Sequence, residues 1–343
     1  MEHLSEVVKI LDAALMHDTD KATSYANLLA SKLDDEHQPR QARALRTVLA
    51  KLPSSKVTTA YATPRLPKDA ENALAIVDYK SVGELSPPDL VLHPYVQDRV
   101  ADFLESVRMH DEWEARGVAS ANRLLIYGPP GTGKTSIATK IAQELKLPLV
   151  LSRSDALMSS LLGQTSRNIR SIFEFASSTP SVLFLDEFDA LAKDRKDSRE
   201  IGELQRVVIA LLQNIDALDS STVLIAATNH PELLDPAVWR RFDYTLKVDL
   251  PGPDERSQMW QSALGEFVPG DSELRSLVDF SADMSGAAIK LAANDISRVA
   301  IKEGGSALPL PSMLRRLARV LWFDSYERFE NEYVEMAALR RWA

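Results

Sequence analysis

At 343 residues the chain is long enough for two domains, and 45% apolar with 26% charged residues is the balance of a globular protein with a packed core. It holds no cysteine, which excludes disulfides, Cys-ligated zinc and iron–sulfur clusters, and its 6 histidines are scattered without a paired metal-ligand spacing. A net charge of −9 lacks the basic surplus of a protein that works by neutralising phosphates, so nucleic acid is not the expected partner. No apolar run reaches the roughly 18 residues of a membrane span.

The chain opens with helical patterns. Leu4, Val7, Val8, Leu11 and Leu15 share one face; Ala22, Tyr25, Ala26, Leu29 and Leu33 share another; Ala42, Leu45, Val48, Leu49 and Leu52 share a third. Polar breaks at 17–20 and 36–39 separate them, so 1–53 is predicted to be a helical module, small enough to need something to pack on. Glu2 and Glu6 lie inside the first pattern, unlike the basic start and continuous apolar stretch of a secretory signal, and the expected compartment is the cytoplasm. Prolines at 53, 64 and 67 among Ser54, Ser55, Thr58 and Thr59 predict a linker over 54–86.

A helix follows at Val96, Val100, Phe103, Leu104 and Val107, and then short apolar strands alternate with amphipathic helices. Strands are predicted at 124–127, 149–151, 182–185 and 223–227. Helices carry Ile137, Ala138, Ile141, Ala142 and Leu145, then Ile169, Ile172, Phe173 and Ala176. This alternation predicts an α/β fold over 87–251, a mainly parallel sheet covered by helices on both faces. An all-helical stretch over 252–306 and a helical extension over 307–343 follow.

The sharpest feature is Gly128, Pro129, Pro130, Gly131, Thr132, Gly133, Lys134 and Thr135, which fits G-x-x-x-x-G-K-[ST] directly after a strand and before a helix. Glycines let the backbone wrap closely around phosphates, and successive N–H groups point inward at anionic oxygens. The helix start adds its positive dipole end. Lys134 supplies charge to the β- and γ-phosphates, the Thr135 hydroxyl is placed for Mg²⁺, and Ser136 completes the set predicted to bind nucleotide.

At these residues, GPPGTGKT preceded by RLLIY, the chain resembles the Walker A segment of AAA proteins, the group that remodels other proteins. The apolar run 182–185 ends in Asp186 and Glu187 and is similar to the family's Walker B pattern, continued by Asp189, Ala190 and Leu191. A carboxylate at the end of a buried strand suits a Mg²⁺ contact, assigned to Asp186, and Glu187 suits the general base that polarises the attacking water. The resemblance implies that Asn229, at the tip of the strand 223–227, orients that water. It also implies that Arg240 and Arg241 reach the nucleotide of a neighbouring subunit. Many relatives separate these arginines; here they are adjacent, as in the microtubule-severing and membrane-remodelling branch, and the sequence leaves open which is the finger. A finger given in trans implies a homo-oligomeric ring, by resemblance a hexamer.

Further along, Ser285, Gly286 and Ala287 resemble the family's lid segment over the adenine and ribose, with Ala288 in place of its usual acid. A helix start packing on the core would read the same way. Over 154–163 the family places an aromatic substrate-threading loop, but Leu161 stands at the aromatic position. Leu161 and Leu162 either grip a client or pack a helix, and the charged 193–200 is either a second pore loop or a solvated turn. Near the end, Trp322, Tyr326, Phe329, Tyr333 and Met336 recur at helical spacing behind Arg315, Arg316 and Arg319. The acids Asp324, Glu327, Glu330, Glu332 and Glu335 argue for a helix that docks on the lid or the next subunit rather than for a nucleic-acid surface.

The resemblance spans about residues 87–305 and implies an ATPase that uses ATP and Mg²⁺ to act on a protein client. The alternatives are an ATPase component driving a separately encoded effector such as a protease, a DNA-handling loader or transposition accessory, and a non-catalytic nucleotide switch.

Overall fold

The computed structural model describes residues 3–15, 19–35, 38–49, 66–69, 75–86, 88–119, 121–153, 162–178, 180–192, 201–218, 222–305 and 307–321. Its centre is a six-stranded sheet: β1 (Val77–Lys80), β2 (Arg123–Tyr127), β3 (Leu149–Ser152), β4 (Val182–Leu185), β5 (Val223–Thr228) and β6 (Tyr244–Lys247), in the order β1-β3-β4-β5-β2-β6. β3, β4, β5 and β2 run parallel, with Leu185 opposite Ala226 and Tyr127 opposite Thr228, while β1 is antiparallel to β3. The expected mainly parallel α/β sheet is present, and the chain forms it for a simple reason. Every residue of VLFL in β4 and VLIAAT in β5 is buried, the continuous apolar run that a strand covered on both faces requires.

The edge strands β1 and β6 are additions to the predicted set, β1 within the stretch expected to be a linker. Both mix buried with exposed positions, so neither shows a run of apolar residues, and each becomes a strand by pairing with an edge already built. Helices Pro94–Arg108, Lys134–Glu144 and Leu162–Ser178 lie where the periodicity predicts them. The sheet and its helices bury a core that includes Leu125, Ile172, Leu183, Phe188, Leu211 and Leu224.

The described residues divide into two compact units. One is drawn from 1–88, 98–127 and 135–246 and holds the sheet; the other is drawn from 89–97, 128–134 and 247–343. The second unit is helical and centres on Trp260, Leu277, Ile289, Ile296 and Met313. Its helix Leu310–Leu321 packs into this same core through Met313 and Leu317, so that part of the predicted extension 307–343 shares the interior of this helical unit. The glycine-rich residues 128–134 also group with this unit.

In the N-terminal module, helices Leu4–Leu15, Thr19–Asp35 and Pro39–Leu49 share a small core of Leu29, Leu33 and Ala42, with Ile10 and Leu45 against it. The first helix turns a different side inward from the predicted one. Ala13 is buried, whereas Val7, Val8, Leu11 and Leu15 are 40%, 53%, 57% and 80% exposed. The inward side is selected by the second helix: Glu6 pairs with Lys32, and Lys9 lies 5.3 Å over the Tyr25 ring. Burial alone pushes the Glu6 carboxyl up, but the hydrogen bond and charge of Lys32 outweigh it and hold it below the usual glutamate range.

Candidate functional site

The sheet determines where polar groups emerge. β2, β4 and β5 are parallel, so their carboxyl ends lie along one edge, and the residues that follow them are Gly128, Asp186 and Asn229. Strand order reverses at β2, and in open parallel sheets ligands bind beyond the strand ends at such a reversal.

The loop after β2 is built from its own backbone. A Cβ on Gly128, whose φ is 150°, would lie 2.0 Å from the Val248 carbonyl oxygen, so only glycine fits there. At Gly131, φ 75°, a Cβ would come within 2.6 Å of Ser285 Oγ. Thr132 Oγ1 donates to Pro129 O at 2.9 Å. Lys134 is buried, and its ammonium donates to Gly128 O and Pro129 O, each at 2.8 Å, which centres the positive charge within the loop. Gly133 and Pro130 complete the turn into the helix Lys134–Glu144.

The predicted lid residues meet this loop. Ser285 caps the helix Gly286–Lys302 by accepting from Ala288 N at 3.3 Å, and Ala287 N donates to Gly131 O at 3.1 Å. Ala288, where relatives carry an acid, leaves Ser285 as the capping group. A Cβ on Gly286 would make ordinary contact, 3.4 Å from Met259 Sδ.

In the sheet-bearing unit, Thr135 Oγ1 donates to Asp186 Oδ2 at 3.0 Å, and the other Asp186 oxygen accepts from Glu187 N at 2.9 Å. Glu187 is exposed and sits at φ 49°, a left-handed conformation that a non-glycine residue holds only where its surroundings impose it. Phe188 supplies much of that constraint: its N–H donates to Ala227 O at 2.8 Å, and its buried ring meets Phe242 edge-on at 5.7 Å. Asp189 Oδ1 accepts from Thr228 Oγ1 at 2.6 Å, and Thr228 Oγ1 in turn accepts from His230 N at 2.9 Å. Between these two residues, the Oδ1 of Asn229 is buried and has no hydrogen-bond partner among the described residues.

The adjacent arginines differ. Arg241 forks onto Asp216, with Nε 3.2 Å from Oδ1 and Nη2 3.1 Å from Oδ2, and its Nη1 donates to Ala237 O at 2.9 Å. Arg240 is exposed, and no side-chain hydrogen bond or ion pair holds it among the described residues. The segment is tied back to β2 by Asp243, whose Oδ2 accepts from the N–H groups of Asn122 and Arg123, both at 3.0 Å.

The donor set suits magnesium. A small hard cation takes one or two protein oxygens and completes its shell with water and phosphate, and the Thr135 hydroxyl with the Asp186 carboxylate are such a pair. Among the described residues no cluster of three or more His, Cys, Asp or Glu side chains could form an all-protein metal cage.

This chain matches the family described as the ATPase family associated with various cellular activities (AAA) over residues 124–250. It is also 39% identical over 256 residues to an uncharacterised AAA family ATPase of Sinorhizobium fredii, covering 72% of this chain and 74% of that protein. The chain belongs to the AAA family of ATPases. Two archaeal relatives of this AAA ATPase carry more specific names. A protein of Methanothermobacter marburgensis named as a 26S proteasome regulatory subunit homologue is 36% identical over 70% of this chain and 58% of its own length. A proteasome-activating nucleotidase of Methanococcus vannielii is 34% identical over 61% of this chain and 54% of its own length. The chain therefore spans little more than half the length of these two relatives.

Sequence reasoning named the loop, the acids, Asn229 and both arginines, but passed over Asp189, Thr228, Asp216 and Asp243 as functional partners. One signal for Thr228 was present: it is the polar residue that ends an otherwise apolar buried strand. Asp216 carries no such signal, because only the fold brings it to Arg241. Of the expected pore stretch 154–163, residues 154–161 lie outside the described residues, while Leu162 and Gly163 open the helix Leu162–Ser178. The charged loop 193–200 and the aromatic stripe from Trp322 onward also lie outside the described residues. Arg316 pairs with Asp295 at 3.0 Å, and Arg315 Nε donates to Pro311 O at 3.2 Å, so both are engaged inside their own unit. No described helix is long and apolar enough to cross a membrane.

Proposed function

We propose that this AAA ATPase works as a homo-oligomeric ring, by resemblance a hexamer, that uses Mg²⁺ and ATP to remodel or regulate a protein client in the cytoplasm. The observation that carries the hydrolytic reading is the 3.0 Å contact between Thr135 and Asp186, one residue before an exposed Glu187.

In this reading the amides of 128–134 and the Lys134 ammonium bind the ATP phosphates, and Thr135 and Asp186 hold the metal. Bound there, Mg²⁺ neutralises charge on the phosphate oxygens. Glu187 accepts the proton of the attacking water, and Asn229, whose Oδ1 is buried without a partner among the described residues, orients that water. Gly286 and Ala287, joined to the loop at Gly131 O, carry the change in nucleotide state to the helical unit.

Arg240 supports the ring. A permanently charged guanidinium that is exposed and has no side-chain partner among the described residues is placed to reach a neighbour's γ-phosphate, whereas Arg241 is held by Asp216. The names of the archaeal relatives favour work on proteins over work on DNA, as does the net charge of −9. They also support a second reading, in which the ring drives a separately encoded effector such as a protease.

The test is a trap. Glu187→Gln is expected to bind ATP, to lose at least about a hundredfold in turnover and to hold the assembled state with whatever it engages. Capture from native cells with ATP and Mg²⁺, against Lys134→Ala, should retain a protein client or effector. Retained nucleic acid, or a monomer that holds nothing, would overturn the remodelling reading.

A further inference from the structure

We propose that Asp189 and Thr228 are positioning residues for hydrolysis: their hydrogen bond braces the turn that carries Glu187 against the strand end that carries Asn229. The proposal rests on the roles given to Glu187 and Asn229 above.

Glu187 and Asn229 stand on separate segments, and both must address the same water. Each is flanked by a residue of the brace. Asp189 lies two positions after Glu187, Thr228 lies one before Asn229, and the two meet through Thr228 Oγ1 and Asp189 Oδ1 at 2.6 Å. The bond from Phe188 N to Ala227 O, 2.8 Å, runs beside it, so 188–189 is stitched to 227–228 by one backbone and one side-chain link. The Thr228 hydroxyl works in both directions, donating to Asp189 and accepting from His230 N, and the second bond spans Asn229.

Removing the hydroxyl would leave the fold's apolar contacts in place while freeing both sides of the catalytic pair. The left-handed Glu187 is the residue with most to lose. Its backbone conformation is disfavoured for a side chain with a Cβ and persists where neighbours over-determine it. Released from the brace, it has a lower-energy alternative that points its carboxylate elsewhere. Nucleotide binding depends on other groups, the loop amides, Lys134, Thr135 and Asp186. A brace that acts only on the water therefore affects the chemical step and spares affinity.

The experiment compares steady-state ATP turnover of Thr228→Val, Thr228→Ser and Asp189→Ala in the full-length protein with Mg²⁺, together with binding of a fluorescent ATP analogue. Thr228→Val and Asp189→Ala are expected to lower kcat by about a hundredfold, the scale of a misplaced catalytic group, with KM and analogue affinity changed by less than about threefold. Thr228→Ser, which keeps the oxygen, is expected to stay within about threefold of the unsubstituted protein. The double variant Asp189→Ala/Thr228→Val is expected to be no worse than either single, because both remove one bond. Unchanged kcat in Thr228→Val would overturn the proposal, as would a loss of kcat matched by an equal loss of affinity, or one that serine fails to restore. Glu187→Gln is assayed alongside. If it still turns over, the roles on which the brace rests are wrong; if it is inactive while Thr228→Val is not, only the brace falls.

Discussion

Substituting the two adjacent arginines separately should divide a stability effect from a catalytic one. Arg241 makes a two-pronged contact with Asp216 at 3.1 and 3.2 Å and a third bond to Ala237 O. The ion-pair side chains are 28% and 51% exposed, so solvent screening holds the pair to about 1 kcal/mol. The bond to the carbonyl adds about 1 kcal/mol. Arg241→Ala is therefore expected to cost roughly 1–2 kcal/mol, a fall of about 1–3 °C in Tm for a chain of this length. Arg240 has no such contact among the described residues, and Arg240→Ala should leave stability within about 0.5 kcal/mol. Its loss is expected in turnover instead, at about a thousandfold, the lower end of what an arginine finger supplies in trans. The assay is ATP hydrolysis by each variant, followed by a mixing series of Arg240→Ala with Glu187→Gln. In mixed rings the Glu187→Gln subunit lends its Arg240 to a neighbour whose own base is intact, so two inactive proteins should recover activity together. Normal turnover by Arg240→Ala, or no recovery on mixing across all ratios, would refute the assignment of Arg240 as the finger.

Two further outcomes follow from the packing. Gly128→Ala forces a Cβ to within 2.0 Å of Val248 O and should cost about 1–3 kcal/mol as well as nucleotide affinity, whereas Gly83→Ala, which meets nothing within 4 Å, should do neither; thermal melting and nucleotide titration read both. The N-terminal helices should loosen in acid. Glu6 has a folded-state pKa below the usual glutamate range, so its contribution is complete above its unfolded value and disappears as pH falls through the lower folded one. Protection factors in the helices 4–15 and 19–35, taken relative to the intrinsic exchange rate at each pH, should fall in that window for the unsubstituted chain, and Glu6→Gln should remove that fall.

Local pattern was enough for the parts of this protein that are encoded locally. Strands β4 and β5 were legible because strands buried on both faces need continuous apolar runs, which they have. The glycine-rich turn after β2 was legible because a tight turn demands glycines at set spacings, and Gly128 shows one reason in its approach to Val248. Edge strands β1 and β6 were not, since a strand that gains its hydrogen bonds from a neighbour carries little signal of its own. The inward side of the first helix was misjudged for a related reason. Its apolar stripe is real, but the partner at hand offers Lys32 and Tyr25, and those select Glu6, Lys9 and Ala13.

The sequence by itself therefore determined the family, the α/β sheet and the chemical groups at its carboxyl edge, because each depends on residue type and short-range spacing. The tertiary structure alone decided how those groups are held. Thr228 meets Asp189 39 positions away, Arg241 meets Asp216 25 positions away, and Ala287 N reaches Gly131 O across the whole sheet region. Adjacent arginines are chemically identical in a sequence; once folded, Arg241 is spent on Asp216 while Arg240 stays exposed with no side-chain partner among the described residues.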